Sequence, residues 1–160
     1  TLAKEKLQAG ATAKATQKAV NQHFMNFPAF GLEYFEVAKK IAIANPDHAP
    51  YGRAAKEYLI HIGAWHQAQP KLVFGENISQ ATMFALAGSA DFAISALSLA
   101  SSPQIQVQSS SIPISDSLHK PLKQKMALIK NAAPSANDFY LYLREPKSKQ
   151  VMTRYGFAVP

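Results

Sequence analysis

The chain has 160 residues, 48% of them apolar, and carries a net charge of +7. This length and composition fit one globular domain or two small lobes, and the absence of cysteine excludes disulfide bonds and thiol chemistry. No apolar run approaches the roughly 20 residues that span a bilayer, and no charged start leads into an apolar stretch with a cleavage site. We therefore expect no membrane span and no export signal within this chain.

The positive charge is spread rather than clustered. Between residues 118 and 154, eight lysine and arginine residues stand against Asp138 and Glu145. A nucleic-acid interface usually gathers such charges on one face with aromatic side chains, and the sequence has no zinc-finger, helix-turn-helix or RNA-recognition signature. We interpret the charge as a solvated surface that is able to steer an anion. We expect no nucleic acid partner, and a basic nucleic-acid-binding domain stays open as an alternative.

We interpret residues 1–38 as a separate N-terminal segment, helical at first and then aromatic, whose sequence is divergent from the rest of the chain. Residues 1–25 are rich in alanine, lysine and glutamine and predict a weak helix that is interrupted near Gly10. Residues 24–35 are strongly aromatic and are punctuated by proline and glycine. We interpret this aromatic run as filler of a core or an interface rather than as a ligand cage.

Strand and helix patterns alternate from residue 40 to residue 97. Gly63 fits the end of the first predicted helix, and Asn77 with Gln80 is typical of a helix cap and its partner three residues later. The predicted elements are strand 40–44, helix 51–62, strand 71–74, a helix that runs from the Asn77 cap to Gly88, and strand 91–97. This alternation predicts a parallel sheet, whose ligand cleft lies beyond the carboxyl ends of the strands.

Two loops deliver the chain from a predicted strand into a helix at that edge. The first contains Asn45-Pro46 and Ala49-Pro50, and the second contains Gly75-Glu76-Asn77. A helix start points backbone N–H groups outward with the positive end of the helix dipole. Two such starts at one sheet edge predict a site for a small anion that needs no charged side chain. Taken alone, the pattern also fits a purely structural connection, because strand-loop-helix units occur in every α/β protein.

The remainder of the chain is less regular. Residues 99–117 are rich in serine, proline and glutamine, and residues 122–129 partly alternate apolar and polar side chains. The predicted elements are a short strand at 105–107, a strand at 122–129, a helix from Ser135, with Asp138 three residues later, to Leu143, and a helix from Pro146 to Tyr155-Gly156.

The sequence carries no recognisable catalytic or metal-binding motif. Residues 109–111 are serines without a nucleophile-elbow pattern, no glycine-rich phosphate loop is present, and Trp65 is most simply a packing residue. The histidines show no paired ligand spacing, and we interpret them as surface or packing residues: His23, His48, His61, His66 and His119. We therefore expect no enzyme activity, no metal and no cofactor.

Four segments also carry a family resemblance. Residues 40–55, 70–81, 96–98 and 154–157 resemble the periplasmic molybdate-binding proteins of bacterial ABC transporters in order and spacing, and the resemblance covers about residues 36–160. It implies an α/β fold in which residues 39–121 form a periplasmic-binding-protein type II-like lobe, with a parallel-dominated sheet flanked by helices. It makes residues 122–160 the hinge strand and the C-terminal helices of an incomplete first lobe.

The resemblance also implies a function and a site. Such a protein is the substrate-binding component of a molybdate or tungstate ABC transporter, which captures a tetrahedral oxyanion in the periplasm and delivers it to the permease. Tyr51 and Ile78 stand where the family donates backbone N–H groups to the oxyanion. Ala96 stands where some members place a tyrosine whose hydroxyl reaches the anion, a contact that alanine cannot make.

The front of the chain departs from the family. Neither the family's Ala-Ser-Leu start nor its serine-rich loop is found in residues 1–35. We therefore expect a truncated, rearranged or degenerate member, and the alternative function is a structural or interaction module without tight ligand binding. With part of the donor set absent, we expect the isolated monomer to bind molybdate weakly or not at all, and any tight binding to require a partner chain, gained by self-association, that supplies the opposite wall.

Overall fold

The structure is a computed structural model that describes residues 32–159. The weak helix predicted over residues 1–25 lies outside this range, as does most of the aromatic run at residues 24–35. The described residues fall into two units, which divide between Leu122 and Lys123. None of the helices within residues 32–159 combines the length and the apolar character that a membrane span needs.

The first unit is built around three parallel strands. Strand β1 lies in the centre and pairs with β2 on one side and β3 on the other, so the order is β2-β1-β3. The elements in chain order are α1 (Leu32–Val37), β1 (Ile41–Ala44), α2 (Pro50–His61), α3 (Trp65–Ala68), a 3-10 turn (Gln69–Lys71), β2 (Leu72–Gly75), α4 (Ile78–Leu86), β3 (Phe92–Ala93), α5 (Leu97–Ala100), α6 (Pro103–Gln106) and a 3-10 turn (Asp116–Leu118). The prediction of an α/β fold with a parallel sheet flanked by helices is confirmed.

Strand β1 is buried on both of its faces. Because side chains alternate along a strand, Ile41 and Ile43 point into one apolar cluster, and Ala42 points into another. The first cluster contains α2 side chains such as Leu59, and the second contains Ala81 of α4. The sheet therefore has helices packed on both faces, which is typical of parallel sheets.

The end of α1 is tied to the strands. Phe35 is fully buried and its ring lies edge-on to Phe92, with 5.5 Å between the ring centroids. The Lys71 ammonium donates to the carbonyl oxygens of Phe35 and Glu36 at 2.6 and 2.8 Å, where a cation complements the negative end of a helix. The interpretation of the aromatic run as core filler is thus confirmed for Phe35.

The ends of the two long helices follow local signals. Helix α2 begins with Pro50 at its first position, and Gly63 follows it with φ of 74°. Helix α4 begins after Asn77, and Gly88 follows it with φ of 73°. Glycine adopts this left-handed backbone without the steric cost that a Cβ atom imposes.

Two strand predictions in the first unit need correction. Strand β3 covers only two of the residues predicted at 91–97, because the chain turns into α5 after Ala96. The strand predicted at 105–107 is wrong, since residues Pro103–Gln106 form α6. Pro103 occupies the first helical position, where its fixed φ angle favours a helix and its missing N–H costs nothing.

The second unit contains two helices, α7 (Pro134–Tyr142) and α8 (Pro146–Arg154). Helix α7 begins one residue before the predicted Ser135, with Ala133 as its cap and no side-chain cap hydrogen bond. Helix α8 begins at the predicted Pro146, ends at Arg154, one residue before the predicted Tyr155-Gly156, and is followed by Gly156 with φ of 83°. The strand predicted at 122–129 is wrong: these residues have no regular structure and pair with no strand among residues 32–159. A strand requires a neighbour for its backbone groups, which a sequence pattern alone does not supply.

Candidate anion-binding site

Three loops lie at the carboxyl edge of the sheet, one after each strand. The first loop is residues 45–49, the second is residues 76–77, and the third is residues 94–96. Because the three strands are parallel neighbours, the loops and the helix starts behind them are neighbours as well. Each loop leads into a helix, so the chain turns its backbone N–H groups toward this edge three times.

Each of the predicted site residues lies at one of these helix starts. Tyr51 is the second residue of α2, Ile78 is the first residue of α4, and Ala96 immediately precedes α5. The structure therefore brings the three predicted positions to the same sheet edge. Their roles toward an anion remain predictions.

The first and second loops are hydrogen-bonded to each other. The N–H of Asn45 donates to the carbonyl oxygen of Gly75 at 2.8 Å. His48 Nε2 lies 3.0 Å from the carbonyl oxygen of Glu76, and because a carbonyl only accepts, the ring nitrogen is the donor. The Glu76 carboxylate lies farther from the same nitrogen, at 3.8 Å. These contacts set the position of the α2 start relative to the α4 start.

The first loop is shaped by its own asparagine. The Asn45 side-chain oxygen accepts from the N–H of Asp47 at 3.0 Å, and the Asn45 carbonyl accepts from the N–H of Ala49 at 2.9 Å. This turn carries the chain directly into Pro50. Since proline has no N–H, the first backbone donor of α2 belongs to Tyr51.

The start of α4 has the cap that the sequence predicts. The Asn77 side-chain oxygen accepts from the N–H of Gln80 at 3.0 Å, and the Gln80 side chain accepts from the N–H of Glu76 at 2.6 Å. The N–H groups of Ile78 and Ser79 have no hydrogen-bond partner among residues 32–159. The first turn of α4 therefore presents two adjacent backbone donors.

Two glycines allow the helix starts to approach the strand ends. A Cβ atom at Gly52 would lie 2.7 Å from the carbonyl carbon of Asn45, and one at Gly75 would lie 2.6 Å from the backbone nitrogen of Ala81. Real Cβ atoms do not come this close to the backbone. Glycine at these positions lets each helix begin tightly against its own strand.

The third loop is joined to α4 through side chains. Thr82 Oγ1 lies 2.6 Å from Ser95 Oγ and also donates to the carbonyl oxygen of Ile78 at 2.7 Å. Ala96 is 3% exposed and offers no side-chain donor. The tyrosine hydroxyl that the resemblance implies for some relatives at this position therefore has no counterpart in the Ala96 side chain.

The donors of this edge are neutral backbone groups. Among residues 32–159, no cluster of three histidine or acidic side chains has the geometry to hold a metal ion. The acidic side chains in the first two loops, Asp47 and Glu76, are exposed, as is the His48 side chain. Backbone N–H groups at helix starts are able to bind an anion through hydrogen bonds and dipoles.

Comparison with known proteins identifies the family of this chain. Residues 12–158 match the family described as bacterial extracellular solute-binding protein. The chain belongs to this family. Because the family consists of proteins that bind a solute, the expectation that the chain is not an enzyme is confirmed.

The relatives of this solute-binding protein include several that are named for molybdate. It is 35% identical to the molybdate-binding protein ModA of Rhodobacter capsulatus, over 73% of this chain and 46% of the relative. It is 32% identical to ModA of Azotobacter vinelandii, over 76% of this chain and 49% of the relative. The chain therefore spans about half the length of the curated relatives it matches.

A solved structure gives the same relationship. The fold of this solute-binding protein matches that of the Azotobacter vinelandii periplasmic molybdate-binding protein with a TM-score of 0.67 and 28% identity. The match covers 77% of this chain and 55% of the other chain. The family resemblance stated from the sequence is confirmed, as is the solute-binding-protein fold.

Sequence reasoning missed three residues at this edge. His48 is exposed, as expected of a surface residue, and its ring also donates across to the second loop. Thr82 and Ser95 were not singled out, although their hydroxyls join α4 to the third loop. The position of His48 within a candidate loop is the sequence signal for its role. No sequence signal links Thr82 to Ser95.

Proposed function

We propose that this chain is the substrate-binding component of a bacterial molybdate or tungstate ABC transporter, acts in the periplasm and delivers its anion to the permease. The anion is a tetrahedral oxyanion held by backbone N–H groups at the starts of α2 and α4. The donors are those of Tyr51 and Ile78. The ligand is the cargo of transport, and no cofactor takes part.

One observation carries this proposal. Tyr51 and Ile78 lie in the first turns of two helices that follow neighbouring parallel strands, in a chain whose relatives are named as molybdate-binding proteins. Helix starts suit an oxyanion because their N–H groups and dipoles carry partial positive charge without a proton to lose. Discrimination between molybdate and the smaller sulfate then depends on the size of the space between the donors.

The proposal is tested by calorimetric titration of the chain with sodium molybdate, sodium tungstate and sodium sulfate at constant ionic strength. We expect heat of binding with molybdate and tungstate and a much smaller response to sulfate. Absence of binding to molybdate and tungstate at millimolar concentrations would contradict the proposal. That result would favour the alternative, an interaction module without tight ligand binding.

The same samples address self-association. Sedimentation is measured with and without molybdate over a range of protein concentrations. If a second copy supplies part of the binding surface, the apparent affinity rises with protein concentration and molybdate shifts the chain toward a dimer. Equal affinity at all concentrations in a strictly monomeric sample would contradict a role for the second copy.

A further inference from the structure

Two hydroxyl groups form a short chain of hydrogen bonds behind the start of α4. Thr82 Oγ1 lies 2.7 Å from the carbonyl oxygen of Ile78 and 2.6 Å from Ser95 Oγ. Thr82 is buried, with 6% of its surface exposed, and Ser95 lies in the third loop. The contact therefore links helix α4 to the third loop of the candidate site.

The direction of this chain follows from the chemistry of its ends. A carbonyl oxygen only accepts, so the Thr82 hydroxyl donates its single hydrogen to Ile78. The Ser95 hydroxyl must then donate to Thr82, because the threonine hydrogen is already used. The result is a relay from Ser95 to Thr82 to the Ile78 carbonyl.

The carbonyl of Ile78 and the N–H of Ser79 belong to the same peptide group. A hydrogen bond accepted by the carbonyl draws electron density toward the oxygen and makes the attached N–H a stronger donor, and consecutive hydrogen bonds reinforce one another. The Ser79 N–H lies in the first turn of α4 and has no partner among residues 32–159. The relay thus strengthens the Ser79 N–H as a hydrogen-bond donor, and this N–H lies beside that of Ile78.

We propose that Ser95 and Thr82 are positioning residues for anion binding, which polarise the Ile78–Ser79 peptide and make the Ser79 N–H a further donor to the anion. This inference rests on the proposed function. It adds a donor that neither the sequence nor the comparisons assign. It also gives the third loop a part in binding although Ala96 has no hydroxyl.

A second threonine shows what an ordinary helical contact of this type looks like. Thr153 in α8 donates from Oγ1 to the carbonyl oxygen of Lys149 at 3.0 Å, the same four-residue spacing. Thr153 is exposed, whereas Thr82 is buried and accepts from a second hydroxyl. Thr153 is therefore a matched control within the same chain.

The test compares Thr82→Val, Thr82→Ser, Ser95→Ala and Thr153→Val with the unmodified 160-residue chain. Nuclear magnetic resonance records the Ile78 carbonyl 13C shift, the Ser79 amide 15N shift and the response of both residues to added sodium molybdate. We expect Thr82→Val and Ser95→Ala to change both shifts without anion and to weaken molybdate binding about threefold to tenfold. Thr82→Ser keeps the hydroxyl and should retain both the chemical shifts and the molybdate affinity of the unmodified chain. Thr153→Val should change neither the shifts nor the affinity.

The outcomes separate this inference from the function on which it rests. If Thr82→Val and Ser95→Ala bind molybdate as the unmodified chain does, the relay is overturned while the proposed function stands. If molybdate moves the Ile78 amide but not the Ser79 amide, the assignment of Ser79 as a donor is overturned. If molybdate moves neither amide in the unmodified chain, the proposed site itself is overturned. Unfolding by urea shows whether each variant is folded.

Discussion

His48 Nε2 donates to the backbone carbonyl oxygen of Glu76 across 3.0 Å and so joins the two loops that precede α2 and α4. The residues are 28 positions apart in the sequence. The acceptor is the carbonyl rather than the carboxylate, which lies 3.8 Å away and is largely exposed. The relationship therefore depends on the reach of the His48 side chain and not on the charge of Glu76.

The first prediction concerns this link. His48→Ala should loosen the two loops and weaken molybdate binding about twofold to tenfold, the value of one net hydrogen bond. His48→Gln should bind almost as the unmodified chain does, because its amide nitrogen reaches a position similar to that of Nε2. Calorimetric titration measures both variants.

Two controls sharpen this prediction. Glu76→Gln keeps the carbonyl acceptor and should not weaken binding. His119→Ala removes a ring whose Nδ1 lies 2.9 Å from the carbonyl oxygen of the next residue, Lys120, outside the three loops of the sheet edge, and should have no effect. Equal weakening by His48→Gln and His48→Ala would show that the hydrogen bond has no part in binding.

The second prediction concerns the donor at Tyr51. Tyr51→Pro removes its N–H at the second position of α2, a position within the first turn that tolerates proline. We expect molybdate affinity to fall about tenfold to a hundredfold, the value of a charge-assisted hydrogen bond. Tyr51→Ala keeps the N–H and should retain most of the affinity.

Helix α8 provides the matched control for this substitution. It also begins with proline, so Lys147 holds the same second position as Tyr51. Lys147→Pro creates the same Pro-Pro start in the second unit and should leave anion binding unchanged. If Tyr51→Pro folds and binds molybdate with unchanged affinity, the Tyr51 N–H is not a donor.

The third prediction separates stability from binding at Asn77. Asn77→Ala removes the cap of α4 and should lower the free energy of unfolding by about 1 kcal/mol. Asn77→Asp and Asn77→Ser both keep a capping oxygen and should keep most of that stability. Asn77→Asp also places a negative charge one residue before Ile78, so its molybdate affinity should fall about fivefold at low salt and recover as salt screens the charge.

Urea unfolding and anion titration of the three Asn77 variants check this pair of effects. The neutral Asn77→Ser variant is the reference for charge, since it differs from Asn77→Asp in the carboxylate. A molybdate affinity of Asn77→Asp equal to that of Asn77→Ser at low salt would place the anion away from this helix start.

The fourth prediction concerns the buried Tyr58. Burial raises the pKa of the Tyr58 hydroxyl above its ordinary value of 10.0, because the charged form loses hydration. The folded chain then holds this proton at a pH where the unfolded chain releases it. The stability that neutral Tyr58 contributes is fully present below pH 10.0 and declines as the pH rises above that value.

Urea unfolding at pH values between about 8 and 11 tests this pH dependence of stability. This range includes the pH at which an ordinary tyrosine ionises. The unmodified chain should lose more stability above pH 10.0 than Tyr58→Phe, which has no proton to release. Tyr142 is exposed, and Tyr142→Phe is the control for removal of a tyrosine hydroxyl outside the core. Parallel curves for the unmodified chain and Tyr58→Phe would contradict the raised pKa.

Much of the first unit was predictable from the sequence because its signals are local. The apolar run at residues 41–44 predicts a strand buried on both faces, and Gly63 marks a helix end by permitting a positive φ. Asn77 and Gln80 are three residues apart, which is the distance that a helix cap spans. The alternation of these elements was sufficient to predict the parallel sheet and the edge at which Tyr51 and Ile78 lie.

Only the tertiary structure decided the features that need a distant partner. Residues 122–129 have a strand-like pattern but form no strand, because no strand within residues 32–159 pairs with their backbone N–H and carbonyl groups. His48 meets Glu76, and Thr82 meets Ser95, only because the parallel order β2-β1-β3 brings three loops to one edge. A local pattern specifies which backbone angles a segment prefers. Hydrogen bonds between loops depend on how the strands are ordered in space, which no single segment encodes.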